Sequence, residues 1–215
     1  MDKQIAEMYA DGKVNEAIHA LIGKIDADPR ETDNYLQLAS YLLEQGSPEQ
    51  AQKLLVQAKG LIKNPQDVDY DLAVAYYAQG EFNKSLALLN QIPNDDDTLY
   101  QKALVYLKTG QNEKALAHAL SIKRVDDHVK ELLGDIWLAL GELKAASASY
   151  ASIPEKQRTA KVTFLLGVSW HGRDRDRAEK FFARAKKMDP KYYKQAWDQY
   201  ASIMKLVAGK DKKEQ

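Results

Sequence analysis

Between Tyr35 and Ala58 the apolar positions fall at Tyr35, Leu38, Ala39 and Leu42, then at Ala51, Leu54, Leu55 and Ala58. Spacings of three and four residues put each set on one face of a helix. Gly46-Ser47-Pro48 separates the two sets. Glycine lets the chain leave a helix, and the fixed φ of proline suits the first turn of the next. The stretch predicts a hairpin of two amphipathic helices. The pattern recurs, with turn glycines at Gly12, Gly46, Gly80, Gly110, Gly141 and Gly172, spaced by 34, 34, 30, 31 and 31 residues. Five residues after the first five stand Ala17, Ala51, Ser85, Ala115 and Ala146, and Ala178 follows the sixth by six. A small residue at one place in every second helix lets the two helices of a hairpin approach closely.

The first helices repeat as well. Four residues before the glycine come Met8, Leu42, Tyr76, Tyr106 and Trp137, and eight before it Leu38, Leu72 and Leu133, with Lys102 breaking the series. Leu166, Gly167 and Trp170 fill the matching places of the last unit if its turn is one residue shorter. Prolines at Pro29, Pro65, Pro93, Pro154 and Pro190 follow second helices, where a helix cannot continue.

A large residue with a small one beside it, a turn glycine, an alanine five on and a proline after the second helix: from about Ile5 to Pro190 the chain resembles the tetratricopeptide repeat (TPR) family. The period of about 34 residues is that of the family. Tyr35 to Pro65 carries the fullest match, while units three to five are shorter, implying trimmed second helices or loops. Leu89, Ala119 and Tyr150 stand where the family has an aromatic in the second helix. The resemblance implies an all-α, right-handed superhelical solenoid of about six TPR-like hairpins, with repeats near 1–31, 32–65, 66–96, 97–126, 127–157 and 158–190. After Pro190, the stripe Tyr193, Trp197, Tyr200, Met204 and Val207 predicts a capping helix over 191–208, because the last hairpin of a stack leaves an apolar face uncovered. The expected whole is one domain over 1–208 and a disordered tail over 209–215.

Hydrophobic residues at 45% and charged residues at 29% fit a globular chain. No apolar run is long enough to span a membrane. The N-terminus lacks the apolar core of a signal peptide, so the expected location is cytoplasmic. Without cysteine there is no disulfide or thiol chemistry. The four histidines, His19, His118, His128 and His171, are not spaced as metal ligands on a helix. Asp95-Asp96-Asp97 suits a helix N-terminus better than a calcium loop. There is neither a glycine-rich phosphate loop nor a nucleophile elbow. The expectation is a non-enzyme with no cofactor and no metal.

Charge is unevenly spread: residues 1–110 carry 10 basic and 17 acidic side chains, net −7, and residues 111–215 carry 21 and 14, net +7. The most basic stretch, Arg173 to Lys187, alternates arginine with Asp174 and Asp176 and shows no aromatic platform on the basic face, which argues against nucleic acid.

The resemblance also implies a concave groove lined by first helices, which takes peptide segments of partner proteins. In the family's register the lining is Leu36, Ser40 and Leu43; Tyr70, Val74 and Tyr77; Tyr100, Leu104 and Leu107; Glu131, Asp135 and Leu138; and, in the last unit, Phe164, Val168 and His171. Ser40, Val74 and Leu104 replace the polar residues of the family's clamp for C-terminal carboxylates, so no such clamp is expected. Tyrosine and leucine beside Asp33, Asp67, Asp69 and Asp135 favour a segment with apolar anchors and some positive charge. The expected function is non-catalytic protein binding, as an adaptor, scaffold or chaperone-like module. Self-assembly through the acidic and basic halves and peptide-sensing regulation are the alternatives, and no small-molecule substrate or membrane partner is expected.

Overall fold

The computed structural model describes residues 1–211, with side chains through Lys205. The described residues form thirteen α-helices and no strand, and they gather into two compact units, Met1–Gly110 and Gln111–Gln215. The division falls at the fourth turn glycine.

Unit 1 holds α1 (Lys3–Ala10), α2 (Val14–Ala27), α3 (Thr32–Glu44), α4 (Pro48–Lys59), α5 (Asp69–Ala78), α6 (Phe82–Leu89) and α7 (Asp96–Lys108), with a 3-10 turn at Pro65–Val68. Each helix packs on the next, and the first helices also touch one another, α3 on α5 and α5 on α7. This is the contact pattern of stacked hairpins. Unit 2 holds α8 (Asn112–Leu120), α9 (Asp127–Ala139), α10 (Leu143–Ala151), α11 (Ala160–His171), α12 (Arg175–Met188) and α13 (Pro190–Asp211), and α13 packs on both α11 and α12.

The turns show why glycine recurs. Gly46 sits at φ 70°, a region that suits glycine, and the other four glycines of the first five turns are also positive. That conformation lets Ser47 N–H reach back to Leu42 O at 2.8 Å while Gly46 N–H bonds Leu43 O, the paired bonds of a Schellman ending. The sixth turn differs. It is one residue shorter in register, as expected: Trp170 stands eight residues before Ala178 where Leu42 stands nine before Ala51, because α11 ends one residue earlier. The middle of its three connecting residues is Arg173, and Gly172 caps α11 at φ −87°. With no left-handed residue, the longer bond is replaced: Arg173 and Asp174 both donate to Trp170 O at 2.8 Å.

The shortened repeats come from the second helices. α6, α8 and α10 have 8, 9 and 9 residues, against 14, 12 and 14 in α2, α4 and α12. The recurrent small residues Ala17, Ala51, Ser85, Ala115, Ala146 and Ala178 are all fully buried. Size is exchanged across the hairpins at a neighbouring position. Ala39 and Ala73 accompany Leu55 and Leu89, whereas Gly134 and Gly167 accompany Tyr150 and Phe182, all of them buried. A methyl group on Gly134 would stand 2.3 Å from the Tyr150 ring, and one on Gly167 2.5 Å from Phe182. The aromatic ring occupies the volume the side chain vacates. Lys102, the residue that breaks the apolar series, is buried along its stem and donates from Nζ to Asn94 Oδ1 at 2.7 Å. Burial lowers its pKa.

α13 is the predicted cap. Phe164 is buried among Phe182, Tyr192, Tyr193 and Tyr200, and Trp197 stacks edge-on against Phe182 at 5.1 Å. The helix runs to Asp211, three residues beyond the expected end. Val207 lies outside the described side chains, and residues 212–215 of the expected tail lie outside the described residues.

Candidate functional site

The first-helix face of unit 1 carries nine of the predicted lining residues. Leu36, Ser40, Leu43, Tyr70, Val74, Tyr77, Tyr100, Leu104 and Leu107 are all half-buried. Leu36 and Leu43 pack at the edge of the cluster around Tyr35 and Leu55. Tyr70 and Tyr77 pack at the edge of the cluster of Ala73, Leu89 and Val105, and Tyr77 tilts onto Phe82.

A cavity of about 300 Å3 opens beside Tyr70. The proline-initiated turn Pro65–Val68 presents Gln66 and Asp67 to it, and the loop after α6 contributes Ile92 and Pro93. The start of α7 supplies Asp95, Asp97 and Thr98. Asp95 also caps α7, accepting from Thr98 N–H at 2.8 Å, as the acidic run predicts. Three carboxylates and no cation line the hollow. Burial, with the charges of Asp97, Asp71 and Asp95, pushes the Tyr70 hydroxyl up to about 12, so it remains a neutral donor at neutral pH.

The remaining predicted residues lie in unit 2, where the geometry is different. Glu131, Asp135 and Leu138 are half-buried. Lys161 donates to Glu131 Oε1 at 2.7 Å and to Asp135 Oδ2 at 2.8 Å, and Tyr150 Oη donates to Asp135 Oδ1 at 2.6 Å. Burial alone would depress the Lys161 ammonium; the charges and hydrogen bonds of Asp135 and Glu131 outweigh it and hold its pKa raised. Burial and Asp135 drive the Tyr150 hydroxyl far above its ordinary value. These two acids are paired with a lysine, so the lining here is not purely acidic. Phe164 is covered by α13, Val168 is half-buried, and His171 shares a 2.8 Å hydrogen bond with Tyr200. Asp69 is likewise engaged, 2% exposed and paired with Lys59 at 2.5 Å. Asp33 pairs with the N-terminal amine at 2.7 Å, while Asp67 lines the Tyr70 cavity and Asp135, with Leu138 and Lys161, lines a cavity of about 320 Å3 in unit 2.

Sequence reasoning missed Lys161 because its partners lie 26 and 30 residues away. It also missed an aromatic beneath the basic stretch. The guanidinium groups of Arg173 and Arg177 each stand 4.2 Å from the centre of the Trp170 ring, correcting the expectation of no aromatic there.

No group of three or more His, Cys, Asp or Glu side chains among the described residues could hold a metal ion, and no described helix is long and apolar enough to cross a membrane.

Residues 42–105 match a family model described as tetratricopeptide repeat. This segment belongs to the tetratricopeptide repeat family. The match covers the Tyr70 cavity and the helices that build it. PilF of Pseudomonas aeruginosa is similar over 92% of this chain and 95% of its own, with 17% identity and a TM-score of 0.70. The chain also resembles part of the APC/C hetero-tetramer Cut9–Hcn1, at 14% identity and TM-score 0.75, over 86% of its own length but 38% of that chain. YrrB, described as a TPR protein with an unusual peptide-binding site, is similar at 17% identity and TM-score 0.57, covering 83% of this chain and 98% of its own. No curated protein matches the chain. The tetratricopeptide fold is in general that of a protein–protein interaction module.

Proposed function

We propose that this chain is a non-catalytic adaptor or scaffold that binds a peptide segment of a partner protein on the first-helix face of unit 1. The observation that carries the reading is the Tyr70 cavity, where an uncharged phenol and the apolar Ile92 and Pro93 are ringed by Asp67, Asp95 and Asp97 with no cation among them. Such a site suits a segment that inserts an apolar side chain and brings lysine or arginine beside it. Half-burial of all nine predicted lining residues in this unit supports an extended strip on either side of the cavity. The peptide-binding site of YrrB, on a similar fold, is consistent with this use. Replacing Tyr70 and Tyr100 by alanine removes two aromatic anchors. Capture of partner proteins from a lysate, read by mass spectrometry, then separates the readings: loss of partners with the fold retained supports the site, and an unchanged set sinks it.

A second reading, self-association of unlike charge, draws on a specific coincidence. The boundary between the compact units falls where the net charge changes from −7 to +7.

A further inference from the structure

Unit 2 contains a second hollow of opposite character. A cleft of about 560 Å3 lies among α10, α11 and α12. Leu166, Trp170 and Phe181, with alanines of α10, make it apolar, and Arg173, Arg177, Lys180 and Arg184 also line it. No carboxylate lines it. We infer that this cleft is a docking site for an acidic peptide segment that inserts an apolar side chain, separate from the Tyr70 cavity and independent of it.

The arginines are held in place. Arg173 occupies the turn position that is glycine in the other five hairpins, which is why a side chain is present there. It donates to Leu143 O and Ser147 Oγ, both at 3.2 Å, while its guanidinium lies 4.2 Å from the centre of the Trp170 ring. Arg177 lies equally close to that ring, and its nearest carboxylate, Asp174, is 3.8 Å away. Arg184 is paired with Glu155. Neither Arg173 nor Lys180 has a carboxylate partner among the described residues. A partner's carboxylates would therefore meet preordered guanidinium groups and a free ammonium, with little rearrangement.

The apolar walls select against a purely polyanionic ligand. Two guanidinium groups already stand against Trp170, so its ring is not an open platform for stacking a nucleobase. Asp174, Asp176 and Glu179 interrupt the basic series, so the surface offers no continuous track for a phosphate backbone. A short segment alternating acidic and apolar residues satisfies both features.

The test uses the full chain and a fluorescently labelled peptide that alternates Glu with Phe and Leu, followed by fluorescence polarisation. Arg177→Glu and Lys180→Glu change exposed side chains, and Arg175→Glu, on the same helix but outside the cleft, is the control. The expected result is saturable binding that weakens about tenfold or more in the first two variants, is unchanged in the control and in Tyr70→Ala, and is absent for a peptide with Lys in place of Glu. Absence of saturable binding by the wild type, or cleft variants that bind as tightly as the wild type, overturns the proposal. So does tighter binding of a single-stranded oligonucleotide at the same residues.

Discussion

Asp71, on α5, is half-buried and has no ion-pair partner among the described residues. Burial pushes its carboxyl up to about 6 from 3.8, opposed by a single backbone hydrogen bond. A raised carboxyl stabilises the fold below its unfolded pKa, and that contribution is lost as pH rises through about 6. Asp71→Asn should therefore raise stability at pH 7.5 by about 2–3 kcal/mol and gain little near pH 3.5, as read by denaturant midpoints at both values. Equal gains at both would contradict it. Gly134 makes the complementary case for packing. Gly134→Ala drives a methyl group into the Tyr150 ring and should cost about 2–3 kcal/mol. Adding Tyr150→Leu, which restores the Ala–Leu pairing of Ala39 and Leu55, should recover part of that loss in thermal melts. If the double variant is no more stable than Gly134→Ala, the exchange of volume across the hairpin is not what sets these residues.

At the level of elements, the hairpins were legible because their causes are local. A glycine at positive φ, a small residue five later and a proline after the second helix all act within one repeat. The one-residue shortening of the sixth turn was legible from Leu166, Gly167 and Trp170; its closure without a left-handed glycine, by bonds from Arg173 and Asp174 N–H to Trp170 O, was not. The cap was legible from its stripe of Tyr193, Trp197 and Tyr200, which meets Phe164 and Phe182. Ending the chain at Met188 would uncover Phe164 and Phe182. It should lower the stability of unit 2 by roughly 3 kcal/mol or more and raise binding of a hydrophobic dye. Unchanged stability would mean α13 is not a cap. The candidate site was less legible than the fold. Periodicity places Glu131 and Asp135 on a face, but the Lys161 that pairs with them comes from the next first helix. Asp69 is taken up by Lys59 in the same way. Distances of this kind arise only when hairpins stack.

For the whole molecule, the two units carry opposite charge and opposite cavities. The hollow of unit 1 is acidic around Tyr70, and the cleft of unit 2 is basic around Trp170. If copies of the chain associate through these charges, sedimentation at low salt should show species heavier than the 24.3 kDa monomer. They should dissociate near 1 M salt, where charges are screened within about 3 Å. Monomer alone at low salt would rule out that second reading and leave partner binding. The most direct test of partner binding compares wild type with the Tyr70→Ala/Tyr100→Ala double variant, with circular dichroism verifying equal helix content and mass spectrometry reading the proteins each captures. Partners held by the wild type should be lost from the double variant. Retention of the same partners by a folded double variant would contradict it.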